Sequence, residues 1–146
     1  MRPLLIVRRA DWQRNQGTIS AIRRQVFIEE QHVPEALEWD GQDAGAIHLL
    51  GGFADAPACG TVRLLADGHI GRLAVLAEKR GRGIGTALLE AIIAEAQAAG
   101  MAQVFLHAQL QAVELYEQHG FTAAGPRFME AGIAHRLMAR TLSALV

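Results

Sequence analysis

The sequence predicts an α/β protein in which helices cover the faces of a mixed sheet. Three short apolar strands follow one another between residues 46 and 76, and two of them flank Asp67-Gly68, a dipeptide favoured in two-residue hairpin turns. Helical periodicity appears on both sides of this meander, over residues 17–30 and 83–99. Strands and helices then alternate along the rest of the chain, which is typical of this class.

The first half of the chain divides into a strand, a helix and the meander. Residues 3–8 are predicted to form the strand, and residues 17–30 a helix whose apolar face carries Ile19, Ile22, Val26 and Phe27. The segment 33–45 is polar and contains Pro34, so we expect a loop there. In the last strand of the meander, alternation predicts one shared face for Ile70, Arg72, Ala74 and Leu76.

The second half adds two helices and three strands. The helix over 83–99 ends before Gly100, and its buried stripe is predicted to contain Ile84, Leu88, Leu89, Ile92, Ile93 and Ala96. Residues 102–108 form a buried strand, and a second helix over 110–120 closes at Gly120. Two more strands are predicted at residues 121–125 and 133–142.

Composition limits the classes of function. A chain of 146 residues fits one domain spanning 1–146. A net charge of -1 argues against sequence-independent nucleic-acid binding, and no stretch approaches the ~20 apolar residues of a membrane span. The apolar run at the N-terminus is too short for a signal peptide. Cys59 is the only cysteine, so we expect a buried, inert thiol in a reducing, cytoplasmic compartment.

A glycine-rich segment, Arg80-Gly81-Arg82-Gly83-Ile84-Gly85, precedes the helix over 83–99. Glycines let several N–H groups converge on one point, and a helix start adds unpaired N–H groups and a positive dipole end, so this segment can hold a phosphate. It is not a P-loop, because Thr86 and Ala87 stand where lysine would follow. It is not a dinucleotide fingerprint, because Thr86 replaces the third glycine. A glycine turn with two solvated arginines explains this segment alone equally well.

A second motif, "LYEQHGF" at residues 115–121, places Tyr116 on a helix that ends at Gly120, with Phe121 starting a strand. Together the two motifs resemble the GNAT N-acetyltransferase superfamily. The acyl-CoA motif of that family, Arg/Gln-x-x-Gly-x-Gly/Ala, is matched here by Arg80, Gly83 and Gly85. The segment "RRQVFIEEQHVPEALEWDGQD" is similar to the small bacterial branch that includes ElaA and YjcF.

The resemblance implies the GNAT acyl-CoA N-acyltransferase fold, a mostly antiparallel sheet splayed between its fourth and fifth strands. Acetyl-CoA would bind in the splay, its pantetheine arm pairing with the backbone of Leu73, Ala74 and Val75. The pyrophosphate would be held by Arg80, Gly81, Arg82, Gly83, Ile84, Gly85 and Thr86. Gln109 stands where many relatives carry asparagine. The histidines show no ligand spacing, so we expect no metal.

The resemblance also implies direct attack of an amine on the thioester, with a backbone N–H near Val75 stabilising the oxyanion. Tyr116 suits the proton donor to the departing thiolate, because a tyrosine pKa near ~10 lies above the ~8.5 of a thiol. The alternative for Tyr116 is a core aromatic whose hydroxyl is satisfied elsewhere.

The general base has several candidates. A helical wheel places Glu30 on the apolar face with Ile19, Val26 and Arg23, where a carboxylate is costly unless it is paired or functional. Glu30, or its neighbour Glu29, could accept the amine proton or bind a cationic substrate. Alternatively, the helix frays by residue 28 and both carboxylates are solvated, or Glu30 pairs with Arg23. His135 and His107 are further candidates, and a structural histidine is the alternative for each.

These observations predict an acetyl-CoA-dependent N-acetyltransferase that acts on a primary amine of a small molecule or peptide. A non-catalytic acyl-CoA-binding module is the alternative. The resemblance further implies a homodimer. The acceptor is not identified, because acceptor pockets of this family are built from loops.

Overall fold

A computed structural model describes residues 3–142 of the chain. The strands are β1 Leu5–Ala10, β2 Ile47–Phe53, β3 Gly60–Leu64, β4 Ile70–Val75, β5 Gln103–Gln109, β6 Thr122–Glu130 and β7 Ile133–Thr141. The α-helices are α1 Trp12–Arg23, α2 Glu35–Glu38, α3 Ile84–Ala98 and α4 Val113–Gln118. A π-helical segment, Arg24–Glu30, continues α1, and 3-10 turns lie at Ala77–Lys79 and Leu110–Ala112.

The strands form two antiparallel sheets that meet at one end. The first sheet has the order β1-β2-β3-β4 and the second has the order β5-β7-β6. A single parallel bridge between His69 and Phe105 joins β4 to β5, next to a hydrogen bond of 3.0 Å from Phe105 N–H to Gly68 O. Beyond this bridge the two strands diverge, so the predicted splay between the fourth and fifth strands is confirmed.

The turn between β3 and β4 differs from the two-residue hairpin that Asp67-Gly68 predicts. Leu65 N–H donates to His69 O at 2.9 Å, and Gly68 N–H donates to Leu65 O at 3.0 Å. Three residues, 66–68, therefore form the loop, with Gly68 at φ +94°. A β-carbon at Gly68 would lie 2.6 Å from the carbonyl oxygen of Gln103, so glycine is required here by both conformation and space.

Helices cover both faces of the first sheet. On one face, α1 and its π-helical continuation bury Ile19, Ile22 and Val26 against Leu50 and Ala74. On the other face, the whole predicted stripe of α3 is buried in the main core, at about 1.5–3 kcal/mol for each large apolar side chain. Cys59 belongs to this core with 3% exposure, as predicted, and burial raises the pKa of its thiol.

Several element boundaries differ from the predictions. α1 begins at Trp12 rather than residue 17, because the Asp11 side chain caps it by accepting from Arg14 N–H at 3.1 Å. The predicted loop over 33–45 contains α2. β6 continues to Glu130, past the predicted end at 125, because Ala131 and Gly132 (φ +52° and +76°) form a two-residue turn into β7.

A bulge in β4 overturns the predicted alternation of side chains. Thr61 is opposite Ala74 and Arg63 is opposite Gly71, so two residues of β4 oppose one residue of β3. Arg72, inside the bulge, has φ +53°. Ile70 consequently packs in the α3 core and Ala74 in the α1 core. The prediction that Ile70 and Ala74 share a face is wrong, because the extra residue reverses the alternation.

Candidate active site

A cavity of about 850 Å³ opens where β4 and β5 diverge, a volume within the range of small-molecule sites. Its walls come from β4, the glycine-rich segment, the start of α3, β5, α4, the 31–42 segment and the β6–β7 hairpin. The predicted site residues that line it are Leu73, Ala74, Val75, Arg80, Gly81, Gly83, Ile84, Gly85, Thr86, Gln109, Tyr116 and His135. Arg82 and Glu30 are exposed and lie outside its lining.

The backbone of Val75 faces the splay. Leu76 N–H donates to Cys59 O at 2.9 Å, which makes these two residues a hydrogen-bonded pair of the β3–β4 ladder. Pairs alternate along an antiparallel ladder, and Gly60 is the next residue opposite Val75. The N–H and C=O of Val75 therefore point away from β3. An extended ligand can pair with this edge as an added strand would.

The start of α3 presents unpaired N–H groups. The first helical hydrogen bond runs from Ala87 N–H to Gly83 O at 3.0 Å, and no side chain caps this end. The N–H groups of the next three residues, 84–86, therefore have no helical partner. Gly81 and Gly83 have φ values of +78° and +89°, which glycine adopts without strain. This geometry suits an anion.

Arg80 links three parts of the cleft. Its Nε donates to Val75 O at 2.9 Å, and its two terminal nitrogens donate to the Glu30 carboxylate at 2.6 and 2.7 Å. The hydrogen bonds from Arg80 hold the pKa of Glu30 below its ordinary value. The alternative in which Glu30 pairs with Arg23 is wrong, since Arg23 binds other carboxylates. The helix also does not fray by residue 28, because its π-helical part continues to Glu30.

The end of α4 places Tyr116. Gly120, with φ +85°, donates its N–H to Glu117 O at 3.1 Å, and Phe121 N–H donates to Tyr116 O at 3.1 Å. These are the two hydrogen bonds of a Schellman motif, which is often accompanied by an apolar contact between the same positions. Here the Tyr116 and Phe121 rings meet edge to face at 5.9 Å. Burial raises the pKa of Tyr116 to about 12, so its hydroxyl keeps its proton at neutral pH.

Gln109 closes the far end of β5. Its Nε2 donates to Gln31 Oε1 at 2.9 Å, and its Oε1 accepts from Gln111 Nε2 at 2.6 Å. The side chain thus connects the 31–42 segment to the 3-10 turn before α4.

The family model of the acetyltransferase (GNAT) domain matches residues 11–142. The chain belongs to this family. The curated relatives include the N-acetyltransferase YjcF of Bacillus subtilis, itself uncharacterized, which is 31% identical over 120 residues, 80% of this chain and 86% of that protein. The predicted family is therefore confirmed, and the chain is an acetyltransferase enzyme.

Solved structures share the GNAT fold of this chain. Escherichia coli ElaA superposes with a TM-score of 0.83 at 25% identity, covering 94% of this chain and 99% of ElaA. An acyl-CoA N-acyltransferase from Pseudomonas aeruginosa gives a TM-score of 0.82 at 27% identity, covering 93% and 99%. Both the fold and the predicted likeness to the branch that includes ElaA and YjcF are thus confirmed.

Beside the cavity of this GNAT domain lies a buried ionic cluster that the sequence pattern does not indicate. Arg23, fully buried, donates from Nε to Glu38 Oε2 at 2.7 Å and from Nη1 to Asp43 Oδ1 at 2.6 Å. Arg63 donates to the two Asp40 oxygens at 2.9 and 2.8 Å, and also to Asp43 at 3.1 Å. The cluster consists of three arginines and three carboxylates, whose charges cancel. They are Arg23, Arg63, Arg72, Glu38, Asp40 and Asp43.

The bulge residue Arg72 ties β4 to the α2 region. Its Nη2 donates to the carbonyl oxygens of Leu37 and Glu38 at 3.2 and 3.0 Å. Its Nε lies 3.1 Å from Glu38 Oε2, at an angle that gives a charge contact and no hydrogen bond. Burial of Asp40 raises its pKa, but hydrogen bonds from Arg63 and Gln42 and the charges of Arg63 and Arg72 outweigh it, so the net pKa is well below the ordinary range.

The cavity also borders a second group, which we call the imidazole wall and define as His69, Phe105, His107, Phe128, Glu130 and His135. Its rings follow one another at centroid distances of 4.8 Å (Phe105–His69), 4.6 Å (His69–His107), 5.2 Å (His107–Phe128) and 5.8 Å (Phe128–His135). His69, His107, Glu130 and His135 line the cavity. The sequence pattern indicates His107 and His135 but not Glu130, because it predicts no element at residues 126–132.

The described residues contain neither a metal-binding cluster nor a membrane-spanning helix. Within residues 3–142, no three or more His, Cys, Asp or Glu side chains are arranged to hold a metal ion. In the same range, no helix has both the length and the apolar character needed to cross a membrane.

Proposed function

We propose that this enzyme transfers the acetyl group of acetyl-CoA to a primary amine of a small molecule or peptide, by direct attack in a ternary complex. The observation that carries the proposal is the meeting of three groups in one cleft. They are the outward-facing edge at Val75, the uncapped start of α3 and the Tyr116 hydroxyl. The similarity to an acyl-CoA N-acyltransferase of P. aeruginosa supports the choice of donor.

In this proposal the donor lies along β4. The amides of the pantetheine arm pair with the backbone of residues 73–75. The pyrophosphate binds the N–H groups of residues 80–86, where glycines let it approach closely. The guanidinium of Arg80 turns from Glu30 to the phosphates, and Arg82 adds positive charge from outside the cavity. Gln109, at the end of β5, is proposed to contact the cofactor.

The chemistry is an addition followed by an elimination. The neutral amine nitrogen forms a bond to the thioester carbon, and the oxyanion that results accepts a hydrogen bond from Val75 N–H. The C–S bond then breaks, and the Tyr116 hydroxyl gives its proton to the departing thiolate. The amine must also lose a proton. We do not assign this step to Glu30, because its carboxylate is held by Arg80 and its pKa is lowered.

His135 is the other predicted base. Only 6% of it is exposed, and its Nδ1 lies 2.7 Å from Ile133 O. A carbonyl only accepts hydrogen bonds, so Nδ1 carries a proton and the ring is oriented by the backbone. The other ring nitrogen of His135, Nε2, lies 3.7 Å from Oε2 of Glu130. His135 is thus proposed to position Glu130 beside the group that takes the proton from the amine.

Thermal unfolding with and without ligands tests the donor. Acetyl-CoA is expected to raise the melting temperature, because it binds only the folded chain, and to release thiol when a panel of primary amines is added. ATP and NAD at the same concentration serve as controls and are expected to leave the melting temperature unchanged. Equal stabilisation by ATP, or stabilisation by acetyl-CoA without thiol release from any amine, would contradict the proposal.

A further inference from the structure

We propose that the acceptor amine binds against the imidazole wall and gives its proton to His107, which Glu130 orients. This inference rests on the proposed function and adds the acceptor side of the reaction. Nothing in the two sequence motifs indicates it, since they concern the donor.

The wall occupies one face of the second sheet. His135 is opposite both Gln109 and Phe128, and Glu130 is opposite Ile133, so these side chains converge beside His107. His69 reaches the same face from the base of β4, where its bridge to Phe105 joins the sheets. The cavity that these residues line also contains Val75 and Tyr116. An acceptor at the wall would share that cavity with the thioester.

The partner of His107 determines which nitrogen is free. Its Nδ1 lies 3.0 Å from Glu130 Oε1. An ionised carboxylate only accepts hydrogen bonds, so Nδ1 carries the proton and the Nε2 lone pair is available. The His107 side chain is 30% exposed and that of Glu130 is 49% exposed, which allows the proton to leave to solvent after each turnover.

The charges around His107 come from several elements. Glu130 of β6 contacts it directly, and His135 of β7 lies 3.7 Å from the other oxygen of Glu130. The His69 ring lies beside that of His107 at 4.6 Å, tilted by 43°. Burial is the largest cause that lowers the pKa of His69, and the neighbouring His107 and Arg63 lower it further. The carboxylates of Asp67 and Glu130 act in the opposite direction but do not outweigh this. His69 is therefore neutral at pH 7 and does not repel a proton on His107.

The same surroundings indicate the class of acceptor. Arg63 and Arg72 of the cavity lining bind carboxylates of the chain itself, and Arg80 lies at the donor end. The imidazole wall instead offers aromatic faces and the half-exposed Glu130 carboxylate, both of which attract cations. An amine that carries no carboxylate fits this side of the cavity better than an amino acid does.

The proton balance is complete within this arrangement. The ammonium releases one proton to His107 Nε2, and the neutral nitrogen then bonds to the acetyl carbon. As the C–S bond breaks, the same nitrogen gives its second proton to water, which leaves a neutral amide. The thiolate takes a proton from Tyr116. His107 returns its proton to water, and Tyr116 is reprotonated from solvent, so the enzyme is unchanged after one turnover.

The variant His107→Asn tests the base. Asparagine can keep the donor to Glu130 but has no Nε2, so we expect kcat to fall by about 100-fold or more and the acidic limb of the kcat/KM–pH profile to disappear. The matched control is His32→Asn, since His32 is exposed and its φ of +59° suits asparagine. This control should leave both kcat and the pH profile unchanged. Acetyl-CoA affinity and melting temperature show whether each variant is folded.

The variant Glu130→Gln tests orientation without altering shape. Loss of the negative charge makes His107 a weaker base, so the acidic limb should move to lower pH and kcat should fall, while acetyl-CoA affinity stays the same. A His107→Asn or Glu130→Gln enzyme that binds acetyl-CoA and keeps the wild-type pH profile would overturn this inference. A wild-type chain that does not bind acetyl-CoA would instead overturn the proposed function.

Tyramine and tyrosine form a matched pair of acceptors that differ in one carboxylate. We expect kcat/KM for tyramine, measured by thiol release, to exceed that for tyrosine by at least about 10-fold. In Glu130→Gln the ratio of these two kcat/KM values should be smaller, because the carboxylate of Glu130 is removed. A preference for tyrosine would overturn the assigned class of acceptor.

Discussion

Tyr116 has a fixed position because of the way its helix ends. The backbone turn at Gly120 brings Phe121 back over the helix, and the two rings meet edge to face. Gly120 has φ +85°, which favours glycine, and a β-carbon there would come within 3.2 Å of the Arg140 side chain, which would have to shift. The motif "LYEQHGF" therefore encodes a helix end that holds one hydroxyl at the cavity.

Replacing Tyr116 by phenylalanine tests the proposed acid alone. The ring and its contact with Phe121 remain, so we expect the affinity for acetyl-CoA and the stability to change little. Turnover should fall by roughly 100-fold or more, because the thiolate departs without a proton. Isothermal titration and thiol release measure the two quantities separately. Unchanged turnover would show that Tyr116 is not the proton donor.

At the scale of elements, the glycines before and within α3 serve different purposes. Gly81 and Gly83 need glycine for their positive φ. Gly85 lies in the first turn of the helix without a positive φ, and a β-carbon there would make only an ordinary 3.8 Å contact with Val75. Nothing in the fold itself therefore requires glycine at position 85, and a small residue there leaves room for the proposed pyrophosphate.

The variant Gly85→Leu distinguishes a role in the fold from a role in binding the cofactor. Leucine favours a helix over glycine by roughly 0.5–1 kcal/mol, so the melting temperature should not fall. Acetyl-CoA should bind at least about 10-fold more weakly, because a side chain larger than the alanine that the family motif admits occupies the approach to the N–H groups. The control is Gly17→Leu in α1, since Gly17 is an exposed helical glycine with open space around it. It should leave the affinity unchanged, and equal affinities for both variants would argue against the cradle.

Sequence periodicity predicted α3 and its full buried stripe because each turn of that helix meets one continuous core. It failed for β4, where one extra residue reverses the alternation, and for β6, whose length depends on pairing with β7. The start of α1 at Trp12 is set by the Asp11 cap and not by apolar periodicity, so the periodic pattern does not show it. Bulges and hairpin lengths are set by the partner strand, which lies elsewhere in the chain, so a local pattern does not reveal them.

At the scale of the molecule, the residues of one wall of the cleft can be predicted from the sequence, and those of the other wall cannot. One wall comes from two short contiguous motifs, which the sequence shows directly. The other wall combines α2 and its following loop with β3, β4 and the β6–β7 hairpin, and the charges that meet there are far apart in sequence. Arg63 and Arg72 stand among apolar residues in their strands, a signal of buried ion pairs that points to no particular partner.

The ionic cluster should make stability depend on pH through Asp40. Its pKa is lowered on folding, so it stabilises the folded state above its ordinary value of 3.8, and this contribution is lost as pH falls toward the folded-state value. Asp40→Asn should therefore be less stable than the wild type at pH 7, and the difference should shrink below about pH 4.

Denaturant midpoints measured across pH give the comparison. Asp55→Asn is the control, since Asp55 is exposed and its φ of +65° suits asparagine. A difference between Asp40→Asn and the wild type that is constant from pH 7 to pH 3 would contradict the proposed ion-pair contribution.

The turn at Gly68 has a consequence beyond its hairpin. Its carbonyl receives the hydrogen bond from Phe105, and its missing side chain lets the Gln103 carbonyl come close. Gly68 is thus the point at which the first and second sheets touch. A side chain there would separate the two sheets where they join and change the width of the cavity between them without lining it.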